Sequence, residues 1–263
     1  MLLTGKRLVI TGVLTHGSIA WYTAKVAQEQ GAEIVLTGFG RGMRLTRRSA
    51  KRLPEPPEVL ELDINDQDQM DQLVAELGRR WGSVDGAVHA IAYAPPDALG
   101  GNFLTTPSDS AALAFTTSAF SYKTLAVGLL PLLQAAGGGS LVTLDFDNST
   151  QAWPAYDWMG VCKAALSSVT RYLARDLGSH NVRVNAVSAG PLSTVAAKGI
   201  AGFARFQDVW DERAPLTWDT SDPTPVANMI CVMLSDFATK VTGEVIHVDA
   251  GFHAIATSDR VPE

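Results

Sequence analysis

The stretch Arg7-Leu8-Val9-Ile10-Thr11-Gly12-Val13-Leu14-Thr15-His16-Gly17-Ser18-Ile19-Ala20 decides the fold of this chain. Residues 7–11 are mostly β-branched and aliphatic, which predicts a buried strand. Gly12 permits a tight turn, and Ser18 is a typical N-cap residue for the helical stretch that ends at Gly31. A strand, a short loop and a helix in this order begin a βαβ unit.

The same alternation continues to the end of the chain. We predict strands at residues 7–11, 33–37, 58–62, 86–91, 140–146, 182–188 and 243–248, and helices at 18–30, 67–81, 109–133, 156–177 and 223–235. This spacing indicates right-handed βαβ crossovers. No linker divides the chain, so the predicted fold class is α/β. We expect one Rossmann-like, doubly wound domain over residues 1–263, with a seven-stranded, mostly parallel sheet and helices on both faces.

Composition excludes several classes of protein. The chain has 263 residues, 46% hydrophobic and 18% charged, so it can bury a large core and is not disordered. Its apolar runs are far shorter than the ~20 residues of a membrane helix, and we see no signal peptide. The net charge of −6 argues against a nucleic acid partner. Two cysteines, Cys162 and Cys231, make no disulfide framework or metal motif, so we expect no metal and a cytoplasmic location.

The residues that follow the predicted strands indicate a nucleotide site. In an open parallel sheet, ligands bind beyond the carboxyl ends of the strands. Free backbone N–H groups where the first helix begins can bind a pyrophosphate, although this loop lacks the usual G-x-G-x-x-G pattern. Each segment is a weak signal alone, but their recurrence at one sheet edge predicts a dinucleotide site. The residues expected there are Gly12, Ser18, Asp63, Ile64, Ile91, Ala92, Pro191, Leu192 and Thr194.

Tyr156 and Lys163 are the predicted catalytic pair. A seven-residue step turns a helix by about 700° and rises about 10 Å, so both side chains share one face. A lysine ammonium can hold ribose hydroxyls and lower the pKa of a nearby phenol. The tyrosine hydroxyl can then donate a hydrogen bond or proton to a developing oxyanion. The alternative, a packed tyrosine and a lysine that reaches solvent, is disfavoured by the position of the pair after the fifth strand.

Apolar side chains near this pair predict a substrate pocket. Phe146 and Tyr93 each directly follow a strand, and Met159 lies near Tyr156 on the same helix. Segment 195–211 carries alternating alanine and phenylalanine residues, which is typical of a mobile lid. We assign three of its aromatic residues to the pocket, and core packing is the alternative for each: Phe203, Phe206 and Trp210.

Over residues 5–255 the chain resembles the short-chain dehydrogenases/reductases, and within them the type-I enoyl-[acyl-carrier-protein] reductases of the actinobacterial branch. The likeness rests on Gly12-x5-Ser18-Ile19-Ala20, Leu36-Thr37-Gly38-Phe39, Leu60-Glu61-Leu62-Asp63, Asp145-Phe146-Asp147, Pro154-Ala155-Tyr156-x-Trp158-Met159, Lys163, Ala189-Gly190-Pro191 and Arg213-Ala214-Pro215. The most specific element is Tyr156-x6-Lys163. Most short-chain dehydrogenases have Tyr-x3-Lys, and Gly160 occupies that position here.

The resemblance implies a reaction. Reduced nicotinamide delivers hydride to C3 of a trans-2-enoyl thioester, Tyr156 stabilises the enolate, Lys163 holds the cofactor, and Phe146 orients the reactants. It adds Ile19 and Phe39 to the cofactor contacts. Substrate contacts are Tyr93, Tyr156, Met159 and Phe203.

The resemblance also implies the cofactor and the partners. It indicates NADH, a substrate bound to acyl carrier protein or CoA, a role in fatty acid elongation, and a homotetramer. No acid follows Phe39 to repel a 2′-phosphate, and Arg41 and Arg44 keep NADPH as an alternative.

Several departures from the family pattern bear on specificity. The segment between Asp145 and Tyr156 is one residue longer than in the actinobacterial members, and His16 adds a basic residue near the phosphates. The shorter lid predicts ordinary fatty-acid lengths rather than very long ones.

Two rival functions remain. A ketoreductase or alcohol dehydrogenase would have Tyr-x3-Lys and a serine where Thr143 stands, and a non-catalytic nucleotide-sensing module would usually lack Tyr156 or Lys163.

Overall fold

Strands and helices alternate along the chain in a computed structural model that describes residues 1–198 and 204–256. Within these residues, the strands are β1 (Arg7–Ile10), β2 (Glu33–Gly38), β3 (Val59–Glu61), β4 (Gly86–His89), β5 (Gly139–Asp145), β6 (Val182–Ala189) and β7 (Val245–Val248). They form one sheet in the order β3-β2-β1-β4-β5-β6-β7. Every neighbouring pair is parallel. The predicted doubly wound sheet is confirmed, and it is wholly rather than mostly parallel.

Helices cover both faces of the sheet, as predicted. They are α1 (Ile19–Glu29), α2 (Met43–Ala50), α3 (Gln67–Trp81), α4 (Ser108–Phe115), α5 (Ser121–Ala135), α6 (Asp157–Leu177), α7 (Val195–Lys198), α8 (Ala204–Arg213) and α9 (Thr224–Leu234). One core packs α1 and α9 against the sheet, and a second packs α3, α5 and α6 against the opposite face. In the described residues, no helix is long and apolar enough to cross a membrane.

The helix predicted at 109–133 is interrupted. A π-helical turn, Thr116–Phe120, separates α4 from α5. The side chains of this turn bond to neighbouring loops: Ser118 Oγ lies 2.9 Å from both the backbone N and O of Tyr93, and Asn65 Nδ2 donates to Thr117 Oγ1 at 3.1 Å. Hydrophobic periodicity does not register one extra residue in a turn, so the sequence predicts a continuous helix here.

Candidate active site

A cavity of about 1100 Å³ lies along the carboxyl ends of the strands. It begins at the loop after β1, crosses the ends of β2, β3, β4 and β5, and ends beside α7 and α8. The described residues predicted to contact cofactor or substrate line it, with the exception of Trp210: Gly12, Ser18, Ile19, Phe39, Asp63, Ile64, Ile91, Ala92, Lys163, Pro191, Leu192, Thr194, Tyr93, Tyr156, Met159, Phe146 and Phe206. Phe203 lies outside the described residues. The structure therefore brings both predicted sets into one continuous space.

The nucleotide end depends on Gly12. Its φ is +76°, and a Cβ there would lie 1.9 Å from the carbonyl oxygen of Ala90. The same loop is held to β4 by Thr11, whose hydroxyl donates to the Val88 carbonyl and accepts from Ala90 N. Only glycine permits this approach of two backbones. The result is a narrow turn that opens directly onto the start of α1.

Ser18 is the N-cap of α1, as predicted. Its hydroxyl accepts a hydrogen bond from Trp21 N and donates one to the Thr15 carbonyl. The cap orients the first turn of α1 toward the cavity, where a helix N-terminus favours negative charge. His16 is exposed and is not among the residues lining the cavity; its Nδ1 is 2.9 Å from an Arg52 nitrogen.

Residues that follow β2 and β3 line the next part of the cavity, which we call its adenosine end after the ligand group expected there. Phe39 is half-exposed after β2, and Arg41 follows it along the cavity wall. Among the described residues of segment 39–52 there is no acid, and no ion pair involves Arg41. Asp63, after β3, accepts a hydrogen bond from Asn65 N, which fixes its carboxylate at the cavity.

Tyr156 occupies the N-cap position of α6 rather than its first turn. The residues on either side have left-handed backbone conformations, with φ of +63° for Ala155 and +44° for Asp157. Such conformations cost of order 1–3 kcal/mol each and persist only where the surroundings hold them. We conclude that strong local contacts position the phenol.

Segment 100–103 supplies those contacts. Asp157 Oδ2 accepts hydrogen bonds from Gly101 N (2.6 Å) and Asn102 N (2.9 Å), and Gly100 N donates to the Ala155 carbonyl. Phe103 stacks on Trp158 at 5.4 Å between ring centroids, and its carbonyl accepts from the indole. Nothing in the local sequence indicated this support, because the two segments are more than fifty residues apart.

Burial raises the pKa of Tyr156 above its ordinary value, and the charge of Asp145 raises it further. Lys163 is not among the groups that shift this pKa, and the expected lowering of the pKa by Lys163 stays a prediction. Because neighbouring groups partly desolvate the phenol, its neutral form is favoured. Tyr156 is held as a hydrogen-bond donor at neutral pH.

Lys163 is buried, and its Nζ donates to the Leu144 carbonyl at 2.6 Å. Burial lowers its pKa, and the nearby Asp145 carboxyl opposes that shift. Asp145 is 4% exposed, accepts a hydrogen bond from Ser167 through Oδ2, and has no described partner for Oδ1. Burial raises the pKa of Asp145, opposed first by Lys163. In the sequence Asp145 stood out only as a family marker, although a carboxylate at the end of a buried strand was the available signal.

The apolar end of the cavity is aromatic. Phe146 lies 5.6 Å from Tyr156 and 6.0 Å from Phe206 between ring centroids, and both phenylalanines line the cavity. Trp210 does not line it: the side chain is fully buried, and its indole donates to the Asp249 carbonyl. The prediction that Trp210 contacts substrate is wrong, because α8 turns this face toward the core.

No group of three or more metal-ligating side chains occurs in the part of the chain that the structure describes. The cavity instead has the shape and lining of a dinucleotide site joined to an apolar pocket. A tight turn that only glycine permits, a helix N-terminus and a Tyr–Lys pair that lines the cavity are typical of the Rossmann-type dehydrogenases and reductases.

Comparison with known proteins identifies the family. The family described as Enoyl-(Acyl carrier protein) reductase matches residues 12–253. The chain is 44% identical to the enoyl-[acyl-carrier-protein] reductase [NADH] of Mycolicibacterium smegmatis, over 95% of this chain and 97% of that protein. It is 42% identical to the Mycobacterium avium protein of the same name and 35% identical to that of Bacillus subtilis, each over at least 95% of both chains. The chain belongs to the enoyl-[acyl-carrier-protein] reductase family.

Proposed function

We propose that this chain uses NADH to reduce trans-2-enoyl thioesters of acyl carrier protein, or of CoA, to saturated acyl thioesters during fatty acid elongation. The observation that carries the proposal is the position of Tyr156: a neutral, partly buried phenol between the nucleotide end and the apolar end of one cavity. The printed names of the relatives support both the reaction and the cofactor.

The residues fit the cofactor. Gly12 permits the narrow turn before α1, because a Cβ there would meet the Ala90 backbone, and the first turn of α1 lines the part of the cavity where a pyrophosphate would bind. Phe39, Asp63 and Ile64 would hold the adenosine. Lys163 would hold the ribose hydroxyls next to the nicotinamide, and segment 191–194 would line the ring. When bound, NADH supplies the hydride that reduces C3 of the enoyl group.

The protein's part in the reaction is to stabilise charge and orient the substrate. The Tyr156 hydroxyl donates a hydrogen bond to the thioester oxygen, where negative charge develops as the enolate forms. The enolate then takes a proton from solvent at C2, which balances the hydride added at C3 and gives the saturated thioester. Phe146, Tyr93 and Met159 supply an apolar surface that orients the acyl chain. Tyr-x6-Lys places the phenol about one helical turn farther from the lysine than Tyr-x3-Lys does, which suits a carbonyl two atoms from the reduced carbon.

The test is a steady-state assay of NADH oxidation with trans-2-dodecenoyl-acyl carrier protein and its CoA counterpart. We expect turnover with both and none with a β-ketoacyl thioester. Turnover of the ketone alone would establish the ketoreductase alternative, and tight NADH binding with no turnover would establish a sensing module.

Repeating the assay with NADPH tests Arg41: we expect NADH to be preferred, and Arg41→Glu to reduce the efficiency with NADPH more than that with NADH.

The remaining expectations are proposals about the whole molecule. We propose a single domain over residues 1–263 with a substrate lid at 195–211, a preference for ordinary fatty-acid lengths, a cytoplasmic location and a homotetramer. Light scattering of the purified protein tests the last of these, since a mass of four chains is expected.

A further inference from the structure

Five aromatic rings form a block at the apolar end of the cavity. This aromatic block consists of Phe146, Trp153, Phe206, Trp210 and Phe252. Trp153 is its hub, with ring centroids 4.9 Å from Phe206, 5.5 Å from Trp210, 5.8 Å from Phe252 and 6.1 Å from Phe146. Trp210 and Phe252 stack at 3.7 Å behind it.

Only part of the block faces the cavity. Of its members, Phe146 and Phe206 line the cavity, whereas Trp153, Trp210 and Phe252 do not. Trp210 and Phe252 are fully buried and Trp153 is partly buried. The three rings therefore fill the volume directly behind the two that an acyl chain would meet.

Trp153 is fixed in place by more than packing. Its indole Nε1 donates to Asp147 Oδ2 at 3.0 Å, and Asp147 is itself buried. Its carbonyl accepts from Tyr156 N, which ties the block to the catalytic residue. A ring held by neighbours on several sides and by a partly buried hydrogen bond cannot swing away to admit a longer chain without losing these contacts.

We propose that Trp153 sets the upper limit of acyl chain length, by supporting Phe146 and Phe206 as the closed end of the substrate pocket. Trp153 is a specificity-determining residue that acts through the two phenylalanines and does not touch the reacting atoms. The inference rests on the proposed function, since it presumes that the apolar end of the cavity receives the acyl chain.

The experiment measures kcat/KM for trans-2-octenoyl, dodecenoyl, hexadecenoyl and eicosenoyl CoA thioesters with NADH. For the wild type we expect a fall of about tenfold or more from dodecenoyl to eicosenoyl, which is the discrimination that apolar pockets achieve by size. In Trp153→Leu we expect the eicosenoyl-to-dodecenoyl ratio to rise by about tenfold. Trp81→Leu, which changes the same residue type at the end of α3 outside the cavity, should leave the ratio at the wild-type value.

Two outcomes would overturn the inference. One is an unchanged chain-length ratio in a folded, active Trp153→Leu variant; the other is an equal loss for all four substrates, which would indicate a packing role alone. If Trp153→Leu does not fold, Phe206→Leu tests the same closed end from the cavity side, with the same expected rise. Failure of the wild type to reduce any of the four thioesters would instead contradict the proposed function.

Discussion

At the scale of single residues, burial determines the protonation states on which the candidate site depends. Tyr156 is partly buried near Asp145, and both desolvation and the carboxyl favour the neutral phenol. Lys163 and Asp145 shift in opposite directions because each is removed from water, and each partly restores the charge of the other. These pKa shifts depend on which side chains the fold places together beside the cavity.

Tyr156→Phe removes the hydroxyl and retains the ring. We expect kcat to fall about 10²–10³-fold, the usual cost of losing one donor to a developing oxyanion, with the Kd for NADH unchanged. Because the pKa of Tyr156 is raised, wild-type kcat should not decline through loss of this proton between about pH 7 and pH 9. Stopped-flow turnover measures kcat and calorimetric titration measures the Kd for NADH. A Tyr156→Phe variant with near wild-type kcat would contradict the assignment of Tyr156 as the hydrogen-bond donor.

Asp145→Asn tests the buried carboxyl. Since burial raises its pKa above the ordinary 3.8, the stability that Asp145 contributes is present below that pH and lost as pH rises through the higher folded-state pKa. An amide does not ionise. We therefore expect the free energy of unfolding of the variant, relative to wild type, to increase between about pH 4 and pH 7 in urea titrations.

The matched control for Asp145 is Asp176→Asn. Asp176 is exposed and paired with Arg175, which lowers its pKa, so the relative stability of this variant should change in the opposite direction and only slightly. Equal pH dependence in the two variants would show that burial of Asp145 has no influence on folding.

At the scale of secondary-structure elements, the loop between β1 and α1 determines whether a nucleotide can bind. Gly12 brings this loop against β4, and Ser18 ends it with a helix cap. The π-helical turn between α4 and α5 shapes the opposite wall through Ser118 and Tyr93. Two loops from distant parts of the chain thus line the same cavity.

Gly12→Ala tests this close approach against Gly5→Ala. Both glycines have left-handed backbones, with φ of +76° and +75°, but a Cβ at Gly5 meets nothing within 4 Å. Gly5→Ala should therefore cost only the conformational penalty of about 1–2 kcal/mol. Gly12→Ala should cost distinctly more and abolish NADH binding, as measured by urea unfolding and calorimetry. Equal destabilisation with NADH binding retained would show that the loop can move aside.

At the scale of the whole molecule, the cavity lies where the sheet changes winding direction. β1 and β4 are neighbours at the centre of the sheet, and the chain continues outward from them on both sides. The strand ends diverge at this point and leave a crevice. A ligand there contacts loops from both halves of the fold and should stabilise all of them together.

Thermal unfolding with NADH measures this coupling. At a hundredfold excess over Kd, binding to the folded state contributes about 2.7 kcal/mol, which for a chain of this size raises Tm by about 5–10 °C. The Gly12→Ala protein should show no such rise. A wild-type Tm that does not respond to NADH would contradict a site at this crevice.

Much of the fold could be predicted from the sequence because its signals are local. The seven strands, the cap at Ser18 and the bounds of α3 follow from β-branched runs, helical periodicity and capping residues that lie within one element. Because parallel strands all end at one edge, the order of elements also predicts which residues share the cavity. The spacing of Tyr156 and Lys163 predicts their common face.

Only the tertiary structure decided the protonation, backbone conformation and packing of the residues in and around the cavity. The raised pKa of Tyr156, the support of Ala155 and Asp157 by segment 100–103, and the π-helical turn depend on contacts between residues far apart in the chain. Trp210 belongs to the core and Trp153 packs against Phe206 for the same reason. Local patterns specify what an element is and which face is apolar, whereas desolvation and ring packing depend on what the rest of the chain places against that face.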